Sequence, residues 1–188
     1  MVKSTNWRRC NKTPSEKNKN KKIKEIIKEI RNKTETSTTQ INYFLEDVPH
    51  YTGCFADDEL INFSIQSFPS YLICNLDHSS GVGSHWIALR FDRKVVEIFD
   101  PLGFNTKLWP KLPVFLLNFL HNLSHHKQII MSGQVQPSNS LLCGFYCIFY
   151  VLNRQNISLN QLMKLFSKRL YKNDSVLAYN FKKSTVNK

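Results

Sequence analysis

Apolar and polar positions change their period several times along this chain, and each change marks an element. Ile23, Ile26, Ile27 and Ile30 recur at i, i+3, i+4, i+7, which predicts a short amphipathic helix over Lys22 to Lys33. Thr38 or Thr39 can cap a second helix carrying Ile41, Tyr43, Phe44 and Leu45, which ends before Pro49. Tyr51 to Leu60 reads as a Gly-containing loop followed by an acid-rich turn. Tyr71–Leu76 has strand character. His85–Asp92 and Val95–Phe99 flank the turn Asp92-Arg93-Lys94 and predict a hairpin. Leu112–Leu123 is long enough for a helix, and Gln128–Met131 for a short strand. Pro137, Ser138, Asn139 and Ser140 are turn and cap residues. Leu141 to Leu152 then runs apolar on every side except at Gly144, too continuous for a surface helix, and reads as a buried central helix. Ser158 can cap a last amphipathic helix bearing Leu159, Leu162, Met163, Phe166 and Leu170. This order predicts an α+β domain, a mixed sheet packed against helices.

Composition adds limits. The 188 residues suit one domain, and 41% hydrophobic with 12% aromatic content can fill a core. No apolar run reaches the roughly 18–20 residues of a membrane span, and the N-terminus lacks a secretory signal pattern. Five cysteines without framework spacing suit free thiols in a reducing, intracellular compartment. No cysteine and histidine spacing of a metal site occurs; Cys143 and Cys147 stand without further ligands, and His125-His126 reads as solvated. The formal charge of +12 is uneven: residues 1–36 hold 12 Lys/Arg against 4 Asp/Glu, residues 37–163 hold 7 against 9, and residues 164–188 hold 7 against 1. The domain limits follow: a basic tail over 1–36, disordered through about residue 22; a globular domain over 37–172; a basic, frayed C-terminal tail over 173–188. Basic ends suit either simple solubility or contact with DNA or another polyanion.

Chemistry gathers at three places. Cys143 stands where the central helix begins, and a helix N-terminus favours a thiolate. Gln136, seven residues upstream, offers an amide that could reach an oxyanion. His85 opens one hairpin strand and Asp100 ends the other; with the turn at Arg93, position 85 lies across from about 100–101, so imidazole and carboxylate can pair. Each residue alone has an ordinary reading: most lone cysteines in apolar helices are packing, as Cys147 is read here, and Asp100 could merely form its Asp-Pro turn. Glu97, on the strand face opposite Val96 and Ile98, is a weaker candidate acid.

Ser84-His85-Trp86, then Phe99-Asp100-Pro101-Leu102-Gly103-Phe104, then Gln136-Pro-Ser-Asn139-Ser140-Leu-Leu-Cys143-Gly144 resemble the adenovirus-type cysteine protease (adenain) family, in its order of His, acid, Gln, Cys. The Gly53-Cys-Phe55 loop and the helix before it also match, so the resemblance covers about residues 38–170. It implies an adenain-like fold, shared with SUMO-type proteases, with the buried central helix starting at the nucleophile. It implies Cys143 as nucleophile, His85 as general base and acid, Asp100 as its orienting acid, and Gln136 with the Cys143 N–H as oxyanion donors. Trp86 would pack beside the site. The implied activity is endopeptidase cleavage of viral, or virus-like mobile-element, precursor proteins during particle maturation, in the nucleus of a host cell or in the virion. No cofactor is required for the chemistry; DNA or a peptide would be activators, the partners would be precursor polypeptides and DNA, no membrane is expected, and the protein would be a monomer. Asp100 replaces the Glu common in adenovirus enzymes, and Leu142 replaces the Asp that usually precedes the SUMO-type nucleophile. Phe104 to Val135 holds no cysteine for disulfide docking of a peptide. Removal of SUMO or a ubiquitin-like protein is the alternative enzymatic reading; an inactive basic nucleic-acid- or capsid-associated protein is the second.

Overall fold

The computed structural model describes residues 14–103 and 112–184. Within them, five strands form one sheet in the order β1-β2-β3-β4-β5: β1 Tyr51–Phe55, β2 Ser70–Asn75, β3 Trp86–Phe91, β4 Val95–Phe99 and β5 Gln128–Met131. The two outer pairs, β1 with β2 and β4 with β5, are parallel; the central pairs are antiparallel. Six α-helices accompany the sheet: α1 Pro14–Asn32, α2 Thr38–Leu45, α3 Val114–Ser124, α4 Cys143–Arg154, α5 Leu159–Met163 and α6 Asn173–Lys183.

The strands are apolar on both faces, and the period of two divides them. Tyr71, Ile73, Trp86, Ala88 and Phe99 point into the larger core with α1, α2, α4, α5 and α6. Leu72, Cys74, Ile87, Leu89, Phe91, Val96 and Ile98 point into a second core against Leu116 and Leu120 of α3 and Leu60 of a 3-10 turn. The mixed sheet between helical layers is the α+β architecture the pattern predicts. α4 lies inside the larger layer, with every residue from Gly144 to Val151 buried. It needs no polar face because neighbours surround it.

Three expectations are corrected. Residues 51–55, read as a loop, form the parallel edge strand β1; their run is short and interrupted by Gly53 at φ +135°, which hides a strand signal. The last amphipathic pattern does not run as one helix: α5 stops at Met163, and a turn leads to a separate α6. The charged ends are folded where described. α1 begins at Pro14 and buries Ile23, Ile26 and Ile30 in the main core, packing on α6, which buries Leu177 and Phe181. Lys22 is buried too, its ammonium 2.8 Å from both Glu46 and Asp47. Boundaries at 36 and 172 therefore cut through one packed unit. The tail readings over residues 1–13 and 185–188, and Phe104 of the second motif, fall outside the described residues.

Candidate active site

His85 lies one residue before strand β3 and Asp100 one residue after strand β4. Ala88 pairs with Phe99, so continuing the register would set His85 against Leu102 rather than 100–101. The pair forms diagonally, where both chains leave the sheet: His85 Nε2 lies 2.7 Å from Asp100 Oδ1. The carboxylate is fixed from behind. The Leu102 N–H donates to the same Oδ1 at 2.9 Å, and the Asp100 N–H donates to Ser132 Oγ at 3.0 Å. Asp100 thus forms both its turn and the ion pair; the ordinary reading and the chemical one hold together. With Nε2 taken, Nδ1 is the ring nitrogen left for a third group, and the imidazole interacts with the Cys143 side chain.

Electrostatics follow from these neighbours. Burial favours the neutral ring, but hydrogen bonds and charge from Asp100 and Cys143 outweigh it and raise His85 from 6.5 to about 9. At neutral pH the ring is therefore an imidazolium, the counter-ion a thiolate needs. Cys143 itself is half-buried at the first position of α4. The residue before that helix, Leu142, provides no side-chain cap, so the helix's opening N–H groups are not quenched by one. The other described thiols contrast with it. Burial pushes Cys54 up to about 12 and holds Cys74 and Cys147 well above the usual thiol range. Cys147 donates to the Trp86 carbonyl, and packing is its role.

Gln136 is 1% exposed yet lines the same cleft. Its Nε2 donates one hydrogen to the Ser140 carbonyl at 2.7 Å, leaving the other free. Its backbone is held by two neighbouring N–H donations, from Val135 and Gln136 to Pro101 O at 2.9 and 2.8 Å. The cleft has about 480 Å³ of open volume. His85, Trp86, Gln136 and Cys143 line it together, so the structure brings the predicted site residues to one place. Glu97 is elsewhere. It is buried between Arg154 and Tyr150, with Arg154 Nε at 2.8 Å and Tyr150 Oη at 3.1 Å.

Several supporting residues escaped the sequence reading. Asn173, fully buried, donates to the Val135 carbonyl at 2.7 Å and so holds the Gln136 segment from α6. Ser132 and Thr36 act on the site from similar distances in sequence. A polar residue next to a helix start or strand end was the only local signal, and it is a common one. Among the described residues, no group of three or more His, Cys, Asp or Glu could hold a metal ion, and no helix is long and apolar enough to cross a membrane.

Comparison with known proteins adds a family. Among solved structures, the SUMO protease Ulp1 with its catalytic cysteine oxidised to a sulfinic acid is similar at 14% identity and a TM-score of 0.48, covering 93% of this chain and 97% of that one. ASFV pS273R protease is similar at 22% identity and a TM-score of 0.39, over 59% of this chain and 42% of that one. AvrA delL154 with IP6 and CoA shares 14% identity at a TM-score of 0.42, over 87% and 66%. No curated protein sequence matches the chain. Residues 51–168 match the adenovirus endoprotease family. A match of more than half the chain, running from β1 past Cys143 to the end of α5 and beyond, places this protein in the adenovirus endoprotease family, as a cysteine-type protease.

Proposed function

We propose that Cys143 is the nucleophile of an endopeptidase that cleaves precursor polypeptides of a virus or virus-like element during particle maturation. One observation carries the reading: His85 stands between Asp100, at 2.7 Å, and the thiol at the head of α4. The Cys143 thiolate attacks the carbonyl carbon of the scissile peptide, and the carbonyl electrons move to oxygen. The free hydrogen of the Gln136 amide and the Cys143 N–H receive that oxyanion. The oxyanion collapses, the C–N bond breaks, and the His85 imidazolium protonates the leaving amine. Neutral His85 then draws a proton from water, whose oxygen attacks the thioester; the thiolate leaves and the acid product forms. Asp100 keeps the ring oriented throughout and stabilises its charged form.

The family match supports the maturation role, and free thiols among the described cysteines suit a reducing compartment. Contact with DNA is part of the same proposal: α1 exposes Lys17, Lys19, Lys21, Lys24, Lys28 and Arg31, and the adjacent α6 exposes Lys182 and Lys183.

A quenched-fluorescent peptide library tests the activity. Wild type cleaves a subset of peptides; Cys143→Ala, with unchanged circular dichroism, cleaves none of them. Undiminished cleavage by Cys143→Ala rejects the assignment. A SUMO probe ending in Gly-Gly, if it labels Cys143 while no library peptide is cut, replaces precursor cleavage with deconjugation.

A further inference from the structure

Thr36 touches the chain neighbours of both members of the catalytic pair. Its carbonyl accepts the indole N–H of Trp86, the residue after His85, at 3.1 Å. Its side chain fills the space over Gly144, the residue after Cys143. A Cβ built at Gly144 would lie 2.1 Å from Thr36 Oγ1, 2.8 Å from Thr36 Cβ and 3.2 Å from Trp86 Cδ1. Thr36 is 6% exposed, and its hydroxyl is buried without a hydrogen-bond partner. Burying an unpaired hydroxyl is unfavourable, so the side chain is not there to strengthen the fold through its oxygen. What the site uses is its shape and its carbonyl.

The segment carrying Thr36 is held at both ends. Behind it, α1 ends at Asn32, Lys33 turns the chain with φ +54°, and the Thr34 N–H donates to Glu29 O. Ahead of it, Ser37 caps α2 in a reciprocal box with Gln40. α1 is itself anchored by Ile23, Ile26 and Ile30 and by the buried Lys22. All of this precedes the family-matched residues 51–168. It also forms one wall of the cleft, where Glu35, Thr36, Ser37 and Thr38 face His85 and Cys143.

Building on the Cys143–His85 reading, we propose that Thr36 is a positioning residue that sets the His85–Cys143 geometry, and that α1 with its linker is a built-in part of the catalytic unit. Thr36 sits behind the residues that follow base and nucleophile, its carbonyl holding Trp86 and its side chain filling the space over Gly144, so one residue governs the spacing of both. Its loss lets Trp86 and the first turn of α4 drift, and a shift of about 1 Å is enough to cost on the order of 100-fold in turnover.

The test uses the full chain and two readouts: kcat and KM on the best-cleaved library peptide, and the pH profile of Cys143 alkylation by iodoacetamide, followed by peptide mass spectrometry. The groups facing the thiol in that profile are His85 and, through it, Asp100. Thr36→Val keeps the shape and removes the orphan hydroxyl; its kcat and alkylation profile match wild type. Thr36→Gly lowers kcat roughly 10- to 100-fold with KM little changed, and slows alkylation at acidic pH, where only an ion-paired thiolate reacts. Gly144→Ala does the same alone. Combined with Thr36→Gly, the new methyl occupies the vacated space, and activity rises above either single variant. Trp86→Phe removes the indole donor together with part of the buried ring, and lowers kcat in the same direction; it serves as the deciding variant if Thr36→Gly does not fold. Wild-type kcat and alkylation in folded Thr36→Gly, in Gly144→Ala or in Trp86→Phe overturns the proposal while leaving the catalytic reading intact. If wild-type Cys143 shows no reactivity below the ordinary thiol range, the thiolate–imidazolium reading falls and this proposal falls with it.

Discussion

Strand β4 and the residue that follows it carry two buried carboxylates three positions apart, and they lead different lives. Asp100, 9% exposed, faces a histidine at the mouth of the cleft. Glu97, 5% exposed, faces the other way and receives Arg154 through Nε and Nη2 at 2.8 and 2.5 Å, Tyr150, and Arg90 at 3.5 Å. Guanidinium groups do not give up a proton in a protein, so the charges around Glu97 are permanent. The imidazole beside Asp100 can change charge, and its second nitrogen is left for the thiol. On the proposed mechanism an acid takes part in chemistry because its partner titrates and has a free side; burial and pairing alone are common to both. The saturation of Glu97 is also why sequence parity could rank it as a candidate acid without revealing its duty.

Replacing each carboxylate by its amide should separate the two roles. Asp100→Asn is expected to lower kcat by roughly 10²- to 10⁴-fold, through a mis-set imidazole. A kcat within two-fold of wild type would remove Asp100 from the mechanism. Glu97→Gln takes the carboxylate from Arg154 while Arg90 keeps Asp92, and breaking such a buried pair costs about 3–5 kcal/mol of stability. Denaturant titration measures that loss. Its kcat, read well below the melting midpoint, should stay close to wild type; a large fall would erase the distinction between the sites. The smallest effect is a dependence on pH. His85 is raised from 6.5 to about 9 in the folded chain, so the folded state holds an extra proton between those values. That contribution to stability is complete below about 6.5 and is lost as pH rises toward 9. Asp100→Asn should flatten this slope, and Glu97→Gln should leave it. Equal slopes in all three proteins would show that His85 does not carry it.

Much of this was legible where a local rule was enough. The hairpin, α3, β5 and the wholly apolar α4 follow from period and turn residues. His85, Asp100 and Cys143 stand out through their place at element ends, and Gln136 through its spacing ahead of Cys143. What local rules missed is contact between distant parts. The Ile23, Ile26, Ile30 stripe is plain in the sequence, but its lysine-rich surroundings suggest a tail, and a short helix is marginal alone. Leu177 and Phe181 are a single i, i+4 pair in a short stretch with no capping side chain to mark a helix start. Each becomes a helix of the core only because the other is there to be packed upon. The register slip at His85 has a similar cause: a turn predicts where strands face one another, not how two chains bend after leaving the sheet.

Asn173 has a practical corollary. It is the first residue of α6, and its amide grips both Val135, next to Gln136, and Ser167, whose N–H it accepts at 2.8 Å. A shortened protein ending at Lys172, the limit its charge pattern invites, would discard that latch and loosen Gln136, the proposed oxyanion donor. Truncation ahead of Asn173 is therefore expected to be felt at the scissile bond.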